Sequence, residues 1–143
     1  MESTKKVDWI LSKRIAEILD ARLGECLANA VRAFLDYPEI LPPDAIFIEG
    51  VYNYGGQFSP HTWLETTNNI IELSLIYDTN LALRNHVQYY PIQSRDKTEI
   101  KKIYGDKPRQ PGSSLMMKID FDDERVVKLL SEVDTPPELK HFS

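Results

Sequence analysis

The chain has 143 residues, enough to bury a core of its own, and its 42% hydrophobic and 27% charged content is ordinary for a globular protein. A net charge of −5 argues against a nucleic-acid or anionic-membrane partner, either of which would need a basic face. A single cysteine rules out an intrachain disulfide and fits a reducing compartment; no run approaches the length of a membrane span, so a cytoplasmic protein is expected.

The elements are expected in the following order. Ser3 or Thr4 caps a first helix reaching about Arg22, with Val7, Leu11, Ile15, Ile18 and Leu19 as its apolar stripe. Gly24 ends it. A second helix runs from about Cys26 to Tyr37 and is stopped by Pro38. Cys26, Ala30, Ala33 and Tyr37 line one side of it; Leu27, Val31, Phe34 and Leu35 fill the adjoining arc; Asn29, Arg32 and Asp36 take what remains. The apolar arc is about 200° wide, twice that of a surface helix, which makes this helix central. Its alanines allow a close approach to strands.

Ala45–Tyr54 reads as a strand, and Tyr54–Pro60 as a glycine-bearing loop that delivers the chain to His61. The residues that follow form a hairpin. Thr62-Trp63-Leu64 and Ile70-Ile71-Glu72-Leu73 have strand composition, with Thr66–Asn69 as the reversal and the second arm reaching about Tyr77. If Glu65 pairs with Ile70, then period-2 alternation puts His61, Trp63 and Glu72 on one face, with the imidazole and the carboxylate one diagonal step apart. A one-residue slip would destroy that parity.

Asn85–Ile92 reads as a further strand, placed at an edge by Pro91. Ser94 to Glu99 opens a third helix ending near Tyr104-Gly105, and its lysines form a solvated face interleaved with Glu99 and Asp106. Asp106–Gly112 is a loop, Asp120–Val133 a last amphipathic helix. One domain over 1–134 and a loosely held tail over 135–143 are expected. Two helices, an antiparallel sheet and further helices make an α+β layout.

Cys26 opens a helix, where the N-terminal partial charge favours a thiolate and free N–H groups suit an oxyanion. A thiol, an imidazole and a carboxylate on two packed elements form the nucleophile, base and orienter of covalent acyl chemistry. Other roles are open to the same residues. A lone cysteine on an apolar face can be packing, Glu72 can face solvent, and Glu65 is a rival acid on the same face but at the turn. A zinc site from Cys26, His61 and His86 lacks a closely spaced ligand pair. Asn29, Trp63, Tyr54, Gln57 and Tyr90 are candidates for lining a substrate cleft, with Tyr52, Tyr54 and Gln57 on a flap and Tyr89-Tyr90 lining a pocket.

Cys26-Leu27-Ala28-Asn29-Ala30, then Phe47-Ile48-Glu49-Gly50-Val51, then His61-Thr62-Trp63-Leu64-Glu65, then Ile70-Ile71-Glu72-Leu73 resembles the papain-like, transglutaminase-like superfamily. The likeness is to small bacterial and phage members reading roughly C-x-x-N-A, Y-V-E-G, H-A-W-L and V-I-D, and it covers about residues 24–76. The C…H-x-W-x-E pattern is also similar to that of lasso-peptide leader peptidases. The resemblance implies a papain-like core with Cys26 as nucleophile, His61 as general base and acid, and Glu72 as orienting acid. It further implies an amide hydrolase or acyl transferase of peptidase, deamidase or transglutaminase type, acting on a protein or peptide without a cofactor. Two departures stand out: Glu72 replaces the usual aspartate, and Asp20 and Arg22 occupy the region where a papain-type oxyanion glutamine would lie. The alternative is a non-enzymatic protein-binding module on the same fold.

Overall fold

The computed structural model describes residues 1–113, 115 and 124–132. Five strands form one mixed sheet in the order β1-β4-β3-β2-β5, where β1 is Lys6–Val7, β2 Ile46–Tyr54, β3 Gln57–Glu65, β4 Asn69–Ile71 and β5 Gln88–Arg95. The helices are α1 (Trp9–Leu19), α2 (Cys26–Leu35), α3 (Leu81–Arg84), α4 (Lys97–Tyr104) and α5 (Glu124–Glu132). This is the α+β class expected. The 135–143 tail lies outside the described residues.

The hairpin register follows the expected pairing. Glu65 sits opposite Ile70 and Leu64 opposite Ile71. Leu64, Phe47 and Ile71 therefore project to one side, into the main core with Ile15, Leu19, Leu27, Val31, Phe34, Ile100 and Tyr104 from α1, α2 and α4. Trp63, Ile48, Ile70 and Tyr89 project to the other, where Val7, Tyr52 and Val87 join them. Period-2 alternation thus sorts one hairpin into two chemically distinct faces.

Several boundaries move for identifiable reasons. The first helix starts at Trp9, because Asp8 rather than Ser3 or Thr4 accepts the Leu11 N–H. Lys6–Val7 is instead a short strand parallel to β4. That helix ends at Leu19, where Asp20 takes a left-handed conformation, and Ile18 is half exposed. The second helix stops at Leu35, and Pro38–Ile40 forms a 3₁₀ turn. The second arm of the hairpin leaves the sheet at Ile71, and Leu75–Tyr77 is also a 3₁₀ turn. The fifth strand runs on to Arg95, so Asp96, with Glu99 completing a capping box, opens α4. Pro91 does lie on an edge strand.

The glycine loop is tighter than expected. Strands β2 and β3 run to Tyr54 and Gln57, leaving only Gly55-Gly56 as the turn, both at positive φ, as a two-residue hairpin requires. A longer loop, Gly105 to Ser113, straps α2. The Arg109 guanidinium holds Asp36 at 2.8 and 3.0 Å, and the Gly112 N–H donates to Glu25 Oε1 at 2.9 Å, so the strap fastens both ends of the helix.

Candidate active site

Strand β4 pairs with β3 only at Leu64 and Glu65, so β3 from Gln57 to Trp63 has no strand beside it on that flank. The Cys26 end of α2 comes up to this open edge. The His61 ring and the Thr62 backbone N–H are the groups near enough to the sulfur to lower its pKa. Cys26 is the first residue of α2, so its own N–H has no acceptor within the helix and is free to serve a ligand. Cys26 as a residue remains partly exposed.

His61 is 3% exposed and held on every side. Its Nε2 meets Glu72 Oε1 at 2.6 Å, which leaves Nδ1 as the ring nitrogen available to the sulfur. Tyr52 stacks on the imidazole at 4.1 Å between centroids and 8° between planes, and Trp63 stacks at 6.0 Å and 22°. Gly50, opposite His61 on β2, allows this crowding: a Cβ there would lie 2.4 Å from the Tyr90 carbonyl and 2.7 Å from the Trp63 ring. No larger residue fits.

Glu72 is fully buried, and both its oxygens are saturated. Oε1 accepts from His61 and from the Tyr89 hydroxyl at 2.8 Å; Oε2 accepts from the Ser74 and Leu75 N–H groups at 2.9 and 3.0 Å. Its own N–H donates to Ser12 Oγ on α1 at 2.9 Å. A buried carboxylate with this many donors stays ionised. Burial alone would raise the Glu72 carboxyl; the His61 charge and hydrogen bond, then the two backbone N–H groups, hold it below the usual carboxylate range.

The same balance acts on the other two groups. Burial pushes the His61 imidazolium down, but the charges of Glu72 and Cys26 outweigh it and lift the ring well above its ordinary value. Burial pushes the Cys26 thiol up, while the His61 charge, its hydrogen bond and the Thr62 N–H bring it below the ordinary thiol value. One pKa lowered and its neighbour's raised both favour charge separation between the sulfur and the imidazole. The Tyr89 hydroxyl, buried and donating to Glu72, stays firmly protonated.

The remaining sequence candidates divide. Trp63 is buried with its indole N–H on Glu65 Oε2 at 2.8 Å, forming the floor beneath His61. Tyr54 stacks on Tyr52 and donates to Asp78, and Gln57 is exposed beside it at the tip of the β2–β3 hairpin. Asn29 does not line a cleft. It is fully buried and clamps the approach to Cys26, accepting from Arg22 N–H at 3.1 Å and donating to the Arg22 carbonyl at 2.8 Å. Tyr90 points away from His61, to the opposite face, against Phe58. Its neighbour Tyr89 is the tyrosine that reaches the site. Glu65, expected at an exposed turn, is 5% exposed because Lys5 Nζ covers it at 3.0 Å. His86 is exposed and bonded to the Ala82 carbonyl. Among the described residues no group of three or more His, Cys, Asp or Glu is arranged to hold a metal ion, and no helix is long and apolar enough to cross a membrane.

Ser74 links the two halves of the site. Its N–H binds Glu72, and its hydroxyl accepts the Gly24 N–H at 2.9 Å, tying the acid to the segment that leads into Cys26. Compared with known proteins, the chain matches no family model, no curated protein and no solved structure.

Proposed function

We propose that the protein is a papain-like thiol enzyme, an amide hydrolase or acyl transferase in which Cys26, His61 and Glu72 act as nucleophile, proton relay and orienting acid. What carries the reading is the chain of contacts from the Cys26 sulfur through the His61 ring to a fully satisfied, buried Glu72. A cysteine at a helix start, a histidine on one strand and an acid just past the end of the neighbouring strand is also the order of elements in papain-like cores.

The chemistry follows from the protonation states. The thiolate attacks an amide carbonyl carbon, forming a C–S bond and moving the carbonyl electrons onto oxygen. The unpaired Cys26 N–H is placed to receive that charge. Collapse of the oxyanion breaks the C–N bond, and the His61 imidazolium gives its proton to the departing amine. Water or a second amine then attacks the thioester, His61 takes the proton, and the C–S bond breaks to regenerate the thiolate. Glu72 keeps Nε2 protonated throughout, so that Nδ1 does the exchange. A protein or peptide substrate would lie along the open edge of β3, beside the partly exposed Cys26.

Alkylation of Cys26 by iodoacetamide, followed by intact mass across pH, tests the reading. A rate that climbs to its plateau around pH 6 is expected. Reaction confined to pH above about 8.5 would leave an ordinary thiol and point to the binding module instead. Cys26→Ala must abolish any amide turnover attributed to the protein.

A further inference from the structure

Away from Cys26, the most unusual group in the molecule is Arg32. It lies on α2, is only 3% exposed, and donates through Nη2 to the carbonyl of Leu19, the last residue of α1. That bond caps a helix end. Nη1 is buried and, among the described residues, has no partner. The three carboxylates that act on its charge are otherwise engaged: Glu25 accepts the Gly112 N–H, Asp36, four residues further along α2, is gripped by Arg109, and Asp20 leans toward Arg22 at 3.9 Å.

A guanidinium stays charged at any physiological pH, so it cannot escape burial by losing its proton. A buried guanidinium with no direct ion pair and an unsatisfied nitrogen is an unfavourable arrangement in a folded protein. Arg32 borders a pocket of about 490 Å³ whose walls also include Lys107, Arg109, Asp20 and Asp36. Three cations against two acids leave one positive charge in excess. The unused Nη1 N–H groups and the Lys107 ammonium are donors only, with nothing to offer a cation.

We infer that this pocket is a binding site for a small oxyanion, a molecule presenting one carboxylate or phosphate group to Arg32 Nη1 and Lys107. The acceptor would complete the guanidinium's hydrogen bonding and cancel the excess charge. The site stands apart from the thiol chemistry: Arg32 is six positions beyond Cys26, about 9 Å further along the helix axis.

Thermal unfolding of the full chain in sodium acetate, sodium phosphate and sodium chloride at equal ionic strength tests it. Acetate or phosphate should raise Tm above the chloride value by on the order of 5 °C at a hundredfold excess over Kd. Arg32→Met, which keeps the buried stem, should abolish the rise. Equal Tm in all three salts, or an unchanged rise in the variant, would overturn the proposal. Should Arg32→Met fail to fold, Lys107→Gln alters only an exposed side chain. Amide shifts at Leu19, Asp20 and Arg32 during phosphate and acetate titrations should saturate in the wild type and need at least severalfold more anion in Lys107→Gln. No saturable shift, or identical titrations of both proteins, would equally refute it. A phosphate response without an acetate response would assign the site to phosphate groups. Iodoacetamide reactivity of Cys26 should be the same in Lys107→Gln, separating this site from the proposed enzyme.

Discussion

The two faces of the sheet are built by different rules. Toward α1, α2 and α4 the strands present Phe47, Leu64 and Ile71, all fully buried and packed among carbon atoms. On the far side Trp63, Ile48, Ile70 and Tyr89 are equally buried, yet His61 and Glu72 lie among them, joined by directed hydrogen bonds. Dispersion and apolar burial care little about angle; a buried carboxylate cares greatly. The first face therefore supplies stability, and the second converts part of it into a fixed geometry around a titrating pair.

The sharpest way to break this comparison is Glu72→Gln. It removes the charge facing His61 and sets an amide N–H₂ against a site full of donors, at a cost of about 3–5 kcal/mol, as for other broken buried pairs. It should also move the onset of Cys26 alkylation to higher pH. The stability difference from wild type has a defined pH dependence. Because the native Glu72 pKa is depressed, its contribution is complete above the ordinary carboxylate value of 4.5 and is lost as pH falls through the lower native value. Urea unfolding of both proteins from pH 6 downward should show the two curves converging.

Phe47→Ala probes the other face. The ring touches Phe34 and Tyr104, and its loss should cost about 3–5 kcal/mol while leaving the pH profile of alkylation in the folded fraction unchanged. Tyr89→Phe is a smaller, directional cut. Losing one hydrogen bond to a buried charge should cost about 1.5–3 kcal/mol and shift the alkylation profile in the same sense as Glu72→Gln, by less. Lys5→Ala should have the least effect, about 0.2–1 kcal/mol by denaturant titration, since its ion pair with Glu65 is partly open to water. A shift of the alkylation profile in Phe47→Ala, or none in Tyr89→Phe, would dissolve the division between the faces.

The hairpin was legible because it is local. Thr66–Asn69 sets the reversal, and alternation on either side puts His61 and Glu72 in phase. The approach of Cys26 to His61 was legible only coarsely, from a helix expected to pack on the sheet and from the resemblance, since the contact depends on how α2 meets an open sheet edge. Tyr89-Tyr90 was legible only as a pair that could line a pocket, and the choice between the two was hidden for a physical reason. Opposite Glu49 and Gly50 the β2–β5 ladder skips Ile92 on β5, so which of two adjacent tyrosines faces His61 depends on a bulge with no signature in composition. Lys6–Val7 is too short for periodicity, and Val7 fits a helical stripe as well as a strand. Asn29 and Arg32 read as the polar arc of α2, but the Arg22 and Leu19 backbone groups that bury them arrive from elsewhere in the chain.

The saturation of Glu72 carries one more consequence. With four donors already on its two oxygens, this side chain can bind a proton only by surrendering one of them. A labile hydrogen near Cys26 therefore has two resting places, sulfur and Nδ1, and none on the carboxylate. Solvent isotope effects on such a reaction should accordingly report one proton in flight, never two moving in concert.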